Sequence, residues 1–161
     1  MSSARVYIAV IGSGQCDGSV ARAAHEVGRL VAESGAVLIC GGLSGVMDAA
    51  AEGAKEAGGL TVGILPSHNR AGASRHLDIA LPSGIGEARN ALIVRAADAL
   101  IAVGGEYGTL SEIAFALKTG KPVIGLNTWE LRKNGRKDDG IIEAETPEEA
   151  VKKALKAVTV V

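Results

Sequence analysis

The segment Asp98–Leu126, which reads DALIAVGGEYGTLSEIAFALKTGKPVIGL, predicts a strand, a glycine-rich loop, a helix and a second strand. Its apolar run Ala99–Val103 is typical of a strand buried on both faces of a parallel sheet. In the helix that follows, Thr109 can act as the N-cap and Gly120 can end the last turn. The loop glycines therefore lie between a strand end and a helix start, where free N–H groups and the helix dipole attract an anion. These glycines are Gly104, Gly105 and Gly108.

The carboxylate of Glu112 follows this loop and has two interpretations. It can lie beside the predicted anion pocket and take part in its chemistry. Alternatively, Thr109-Leu110-Ser111-Glu112 forms a capping box, in which Glu112 accepts a hydrogen bond from the N–H of Thr109 and has no other role. The spacing of these residues is compatible with both interpretations.

Length and composition predict one globular domain over residues 1–161. The net charge of -1 argues against non-specific binding of nucleic acid, so any anion site must be local. Cys16 and Cys40 have neither metal-site nor disulfide-framework spacing, and the histidines lack ligand spacing, so we assign no metal. No apolar run approaches the roughly 18 residues of a membrane span, and no secretory segment is visible. We therefore expect a cytoplasmic protein with no membrane partner.

The first predicted unit is the strand Val6–Ile11 followed by a helix over residues 19–34. The loop between them resembles a dinucleotide fingerprint, but its third glycine, Gly18, comes one position late. The next strand, Val37–Cys40, also leads into glycines where an NAD site needs an acidic residue for the ribose. The pattern therefore excludes an NAD site, while Ser13 and Gly14 remain candidates for lining a nucleotide pocket.

A second glycine-rich loop, Gly41-Gly42-Leu43-Ser44-Gly45, opens a helix that we expect to run to Ala57, with Ser44 as its cap. At the carboxyl end of a buried strand, this loop offers backbone donors to a ligand, which makes Gly41, Gly42 and Gly45 candidates. Met47 is a further candidate, although packing in the core is the simpler interpretation of a methionine.

The remaining chain continues the alternation of strands and helices, with two interruptions. Strands are predicted at 61–65, 79–81, 123–126 and, at the sheet edge, 141–144, and helices at 86–97 and from a Thr146 cap to about residue 158. Polar loops are predicted at 67–78 and 127–140. We therefore predict an α/β fold: one Rossmann-like, doubly wound domain with a mainly parallel sheet of about six or seven strands flanked by helices.

Four motifs in the right order resemble the LOG-type family of Rossmann proteins. They are Gly-Gly-Leu-Ser-Gly-Val-Met at 41–47, Gly-Ile-Leu-Pro at 63–66, Arg89 nine residues before Asp98, and Gly-Glu-Tyr-Gly-Thr-Leu-Ser-Glu at 105–112. The family includes cytokinin-activating phosphoribohydrolases and molybdenum cofactor carrier proteins, and its members have often been mislabelled lysine decarboxylases. Neither Lys118 nor Lys121 has the setting that a cofactor Schiff base needs, so we discard decarboxylation.

The resemblance implies a nucleotide-binding protein that hydrolyses the N-glycosidic bond of a nucleoside 5′-monophosphate, releasing the base and ribose 5-phosphate without a cofactor. In that branch Glu112 and Arg89 match the catalytic residues. Glu112 would stabilise the positive charge that builds on the ribose or orient water, and the glycine loops with Thr109 would hold the 5′-phosphate. The resemblance also implies a homodimer or larger homo-oligomer, with the helices at 86–97 and 109–117 as candidate interfaces.

The family signature P-G-G-x-G-T-x-x-E is altered at two positions of this chain. Gly104 stands in place of the proline, and Glu106 stands in place of the second glycine. A carboxylate within a phosphate loop repels phosphate unless it points away. The altered signature and the short chain resemble the carrier branch, so the alternative function is a non-catalytic carrier of a phosphorylated, molybdopterin-type cofactor.

Overall fold

A computed structural model of the protein describes residues 4–159, which contain nine β-strands. Seven of them form one sheet in the order β4-β3-β2-β1-β5-β6-β9, and all of their pairings are parallel. The prediction of a mainly parallel sheet of six or seven strands is confirmed. The strands are β1 (Tyr7–Gly12), β2 (Val37–Cys40), β3 (Thr61–Leu65), β4 (Ile79–Pro82), β5 (Ala99–Val103), β6 (Val123–Leu126), β7 (Arg132–Lys133), β8 (Arg136–Lys137) and β9 (Ile141–Ala144).

Within the described part of the chain, five α-helices cover the two faces of the sheet. They are α1 (Gly18–Glu33), α2 (Val46–Glu56), α3 (Asn90–Ala96), α4 (Tyr107–Lys118) and α5 (Pro147–Thr159). Helices α1, α2 and α5 pack on one face and α3 and α4 on the other, and each layer has its own apolar core. Because both faces are covered, the interior strand β5 is buried along its whole length, which explains its uninterrupted apolar sequence.

Glycines allow α1 and α2 to pack with their backbones close together. A Cβ atom added to Gly28 would lie 1.9 Å from the carbonyl oxygen of Ala50, and one added to Gly53 would lie 2.0 Å from that of His25. No side chain fits at either position. The abundance of glycine in this chain thus serves helix packing as well as loops.

The order of the strands reverses between β1 and β5. From β1 the chain moves outward through β2, β3 and β4, and then returns to β5 and moves outward in the other direction through β6 and β9. The loops that leave β1 and β5 therefore diverge to opposite faces and leave a crevice above the sheet. Ligands of open α/β sheets bind in crevices of this kind.

The structure corrects three predicted helix starts. Helix α4 begins at Tyr107 with Glu106 at the N-cap, so Thr109 lies inside the helix and the predicted Thr109 cap is wrong. Helix α2 has Gly45 at its N-cap, with φ +66, because the hydroxyl of Ser44 donates instead to the carbonyl oxygen of Gly14, 2.8 Å away. For Ser44, a tertiary hydrogen bond overrides the local capping preference.

The third corrected start concerns the predicted helix at 86–97, which is divided into a 3₁₀ turn, Gly86–Arg89, and α3.

Two other predicted helix ends are confirmed. The hydroxyl of Thr146 accepts a hydrogen bond from the N–H of Glu149 at the start of α5, and Gly120, with φ +77, follows α4. None of the described helices is long and apolar enough to cross a membrane.

The two predicted polar loops have more structure than the sequence indicated. The segment 127–140 contains a small antiparallel hairpin, β7–β8, which turns at Asn134 and Gly135 with positive φ angles at both residues. The segment 67–78 is an irregular crossover from β3 to β4. Within it, Ser74 and His76 contact the carboxylate of Asp48 on α2, at 2.6 and 3.2 Å respectively.

Candidate functional site

The crevice between β1 and β5 contains a cavity of about 210 Å³. Its walls come from the loops that follow β1, β2 and β5, from the first turns of α2 and α4, and from the 3₁₀ turn before α3. They are formed by Gly12, Ser13, Gly14, Leu43, Met47, Glu87, Arg89, Asn90, Glu106, Gly108, Thr109 and Glu112. The two glycine-rich loops and the arginine-bearing segment, which are far apart in the sequence, thus meet at one place.

The loop from β5 to α4 presents a helix start that no side chain caps. Gly105 has φ +104, and a Cβ added to it would lie 2.5 Å from the side chain of Thr109, so the tight turn needs glycine. The N-cap residue Glu106 makes no side-chain capping hydrogen bond. The backbone N–H groups in the first turn of α4 therefore remain available, and the positive end of the helix dipole lies beside them, so this turn can bind an anion.

Arg89 is buried beneath the cavity, with 7% of its surface exposed. Its Nε donates to the carbonyl oxygen of Ile64, 3.0 Å away, and one terminal nitrogen donates to that of Gly41, 3.4 Å away. The other terminal nitrogen donates to the side-chain oxygen of Asn90. Two of the five guanidinium N–H groups thus join the ends of β2 and β3 and a third binds Asn90, while the remaining two have no hydrogen-bond partner within residues 4–159 and are available to a ligand.

Glu112 is equally buried, with 7% exposed, and its Oε2 atom has no hydrogen-bond partner among the described residues. Burial raises the pKa of this carboxyl group to about 8, although the nearby Arg89 opposes the rise and Glu87 adds to it. At neutral pH the group is therefore mainly a neutral acid. Its side chain forms no bond to the N–H of Thr109, so the capping-box interpretation is wrong: Thr109 is not at the helix start that such a box needs.

Carboxyl groups outnumber basic groups on the cavity wall. Glu87, Glu106 and Glu112 all line it, and Arg89 is the one lysine or arginine among its lining residues. Glu106 is exposed and is one of the lining residues of this cavity. The walls therefore offer a ligand mainly acceptors, while donors come from the helix start, the hydroxyl groups and Arg89.

Seven of the predicted site residues line the cavity: Ser13, Gly14, Met47, Arg89, Gly108, Thr109 and Glu112. The other predicted glycines shape the surrounding loops. A Cβ at Gly41 would contact Met47 and Arg89, one at Gly45 would meet the backbone of Ser13, and one at Gly42 would meet Leu65 and Leu77. Gly104 accepts a hydrogen bond from Thr128, and Gly105 forms the tight turn.

Sequence reasoning missed Gly12, Leu43, Glu87, Asn90 and, as a wall residue, Glu106. Leu43 lies within a loop that had been selected, and Asn90 and Glu87 flank Arg89. Inspection of the neighbours of each selected residue could have found these three. Gly12 directly precedes the predicted residue Ser13, and Glu106 directly follows Gly105, so the same inspection indicates these two as well. The structure adds that Gly12 lies close to Val103, its partner in the pairing of β1 with β5, and to Val46 on α2.

Two other features near the sheet are less suited to chemistry. Cys40 is completely buried, and burial raises the pKa of its thiol to about 12, which keeps it protonated and unreactive. A cavity of about 650 Å³ opens at the amino ends of β2 and β3, where Lys55 and Asp78 already form an ion pair. Within residues 4–159, no three His, Cys, Asp or Glu side chains are grouped as metal ligands.

Two solved protein structures are similar to this chain over nearly its whole length. The chain is 39% identical to the molybdenum cofactor binding protein of the phototrophic bacterium Rippkaea orientalis, with a TM-score of 0.88 over 98% of this chain and 99% of that chain. It is 31% identical to the molybdenum cofactor carrier protein of Chlamydomonas reinhardtii, with a TM-score of 0.83 over 96% of this chain and 99% of that chain.

The sequence also matches one further protein and one protein family. An uncharacterized protein of Archaeoglobus fulgidus is 50% identical over 146 residues, which cover 91% of this chain and 92% of that protein. The sequence pattern of the SLOG cluster4 family matches residues 5–151, which include every residue of the cavity wall. The chain therefore belongs to the SLOG cluster4 family.

Proposed function

We propose that this protein binds and carries a phosphorylated, molybdopterin-type cofactor in the cavity between β1 and β5. The observation that carries the proposal is the likeness, over nearly the whole of each chain, to the molybdenum cofactor binding protein of R. orientalis and the carrier protein of C. reinhardtii. In this proposal the cofactor is cargo, which the protein holds and releases unchanged.

The start of α4 suits the phosphate of such a cargo. Its N-cap makes no side-chain capping hydrogen bond, and a Cβ added to Gly108 would meet no atom within 4 Å, so a ligand can approach the backbone there. The Thr109 hydroxyl lies on the same wall and can donate to a phosphate oxygen, and Ser13 and Gly14 face it from the loop after β1.

The small volume of the cavity supports a carrier function. Sites that enclose a cofactor usually have volumes of roughly 300–1,000 Å³, whereas this cavity measures about 210 Å³. A phosphorylated cofactor with fused rings would therefore extend beyond the walls. Partial exposure leaves the cargo accessible to a protein that receives it.

One observation favours a second candidate, the hydrolysis of a nucleoside 5′-monophosphate. Glu112 combines burial in the cavity with a pKa of about 8, which is the property of a general acid at neutral pH. In that reaction Glu112 would donate its proton to the departing base while the helix start holds the 5′-phosphate. The role differs from the charge stabilisation by an ionised Glu112 that the sequence suggested.

The first experiment measures cofactor retention by Gly108→Val. The added side chain projects from the first turn of α4 into open space, so it should spare the fold and block the phosphate. Purified wild-type protein incubated with cofactor released from a molybdoenzyme should retain pterin and molybdenum, quantified by fluorescence after oxidation and by elemental mass spectrometry. Gly108→Val should retain neither. Ala114→Val, at an exposed position of the same helix, is the matched control and should retain both.

The second experiment separates the two candidates. Wild type and Glu112→Gln are incubated with a panel of nucleoside 5′-monophosphates, and free base and ribose 5-phosphate are assayed. Release by wild type alone would establish hydrolysis and replace the carrier proposal. No release by either protein, together with retention of the cofactor in the first experiment, would establish the carrier.

A further inference from the structure

Within residues 4–159, no group donates a hydrogen bond to Oε2 of Glu112. This oxygen is itself buried, and the residue as a whole is only 7% exposed. Arg89, whose charge lowers the pKa of this carboxyl group, donates three N–H groups to Ile64, Gly41 and Asn90 and none of them to Glu112. A buried polar group without a partner is costly, which indicates that a ligand supplies the partner.

In its ionised form a carboxyl group accepts hydrogen bonds at both oxygens, so a ligand that presents two adjacent donors favours that form of Glu112, and the proton that the group holds at neutral pH passes to solvent when the ligand binds. Three chemical groups have this arrangement: the N–H and amino group of a 2-amino-oxopyrimidine ring, the two hydroxyls of a ribose diol, and a guanidinium group. Leu43 and Met47 line the same cavity, and their apolar side chains suit the face of a planar ring better than a sugar or a cation. No three acidic or metal-binding side chains of the described chain are grouped as metal ligands, which disfavours a metal ion as the partner of Glu112.

We propose that Glu112 determines specificity by pairing with the N–H and amino group of a 2-amino-oxopyrimidine ring, while Leu43 and Met47 pack against the face of that ring. This inference rests on the proposed function, because a pterin carries this ring edge. Guanine carries the same edge, which makes guanosine 5′-monophosphate a usable probe.

The test compares guanosine 5′-monophosphate with inosine 5′-monophosphate, which lacks only the 2-amino group. Both affinities are measured by isothermal titration calorimetry in EDTA, and chromatography verifies that the nucleotides stay intact. Wild type should bind the guanosine nucleotide about tenfold more tightly, because the inosine nucleotide leaves one oxygen of Glu112 unpaired. Equal affinities, or no binding of either nucleotide at millimolar concentration, would overturn the proposal.

Two variants test whether Glu112 is the residue responsible. Glu112→Gln replaces one acceptor with a donor, so the tenfold preference should disappear while thermal unfolding shows an intact fold. Glu106→Gln makes the same change on an exposed residue of the same cavity. It should tighten binding of both nucleotides equally, because it removes a charge that repels phosphate, and it should keep the preference. Loss of the preference in Glu106→Gln but not in Glu112→Gln would refute the assignment to Glu112.

Two further probes identify the competing partners. Weaker binding of 2′-deoxyguanosine 5′-monophosphate, with equal affinities for the guanosine and inosine nucleotides, would assign Glu112 to the ribose diol and overturn the proposal. If binding requires added Mg²⁺ and is equal for the guanosine and inosine nucleotides, the carboxyl groups of the cavity bind a cation. That result would also overturn the proposal. Cofactor retention without a guanine preference would refute only this inference, whereas a guanine preference without cofactor retention would refute only the proposed carrier function.

Discussion

The burial of Glu112 predicts a pH-dependent cost to stability that Glu112→Gln should remove. The pKa of the carboxyl group is about 8 in the folded protein, against an ordinary value of 4.5. Below pH 4.5 the group is protonated in both states and costs nothing. As pH rises toward 8, the unfolded chain ionises while the folded protein keeps the proton, so stability falls. Between about pH 5 and about pH 7.5 this one group should cost about 3 kcal/mol, at 1.36 kcal/mol per pKa unit.

The assay measures urea unfolding of wild type and Glu112→Gln at several values between pH 5 and pH 8. The difference in unfolding free energy between them should increase with pH in favour of Glu112→Gln, because glutamine cannot ionise and all other titrating groups are common to both proteins. Glu148→Gln, at an exposed position of α5, is the control and should show only a small difference across the range. A difference that stays constant for Glu112→Gln would show that Glu112 is ionised in the folded protein, and would refute the argument from burial.

Three further variants test the packing and the site. Gly28→Ala should destabilise the protein by about 3 kcal/mol or more in urea unfolding, because its Cβ would meet the carbonyl oxygen of Ala50 at 1.9 Å; a change below about 0.5 kcal/mol would show that α1 and α2 separate easily. Arg89→Met should cost about 2–4 kcal/mol, since it leaves buried carbonyl oxygens unpaired; an unchanged unfolding midpoint would show that these bonds are dispensable. Glu106→Gly should tighten cofactor binding severalfold at low salt and less at high salt, and equal affinity in equilibrium titration would show that the Glu106 charge lies too far from the phosphate to act.

Much of the fold was predictable because its signals are local. The apolar run at residues 99–103 and the turn glycine Gly120 follow from the requirements of a buried strand and a helix end. The alternation of such strands with helices leads to a parallel sheet by the rules of chain connection. The small hairpin β7–β8 was missed because its strands have two residues each, which is too short for a periodic pattern.

The helix starts show where local reasoning fails. Ser44 and Thr109 are both residues that favour an N-cap, and neither caps a helix. The hydroxyl of Ser44 bonds to a loop 30 residues earlier, and Thr109 lies in a helix that begins at Tyr107. The free energy of a cap is about 1 kcal/mol, which one tertiary hydrogen bond or loop constraint can outweigh.

By itself, the sequence determined the parallel α/β architecture and the position of the glycine loops at the carboxyl ends of strands, because both depend on residue type and spacing along the chain. The tertiary structure alone decided the state of the side chains between those loops. It assigned Arg89 to two carbonyl oxygens at the ends of β2 and β3 and placed Glu106 in the lining of the cavity, and among the described residues it left Oε2 of Glu112 buried without a donor. Burial and hydrogen bonding depend on residues that are distant in the chain and close in space, and a pattern along the chain does not contain those distances.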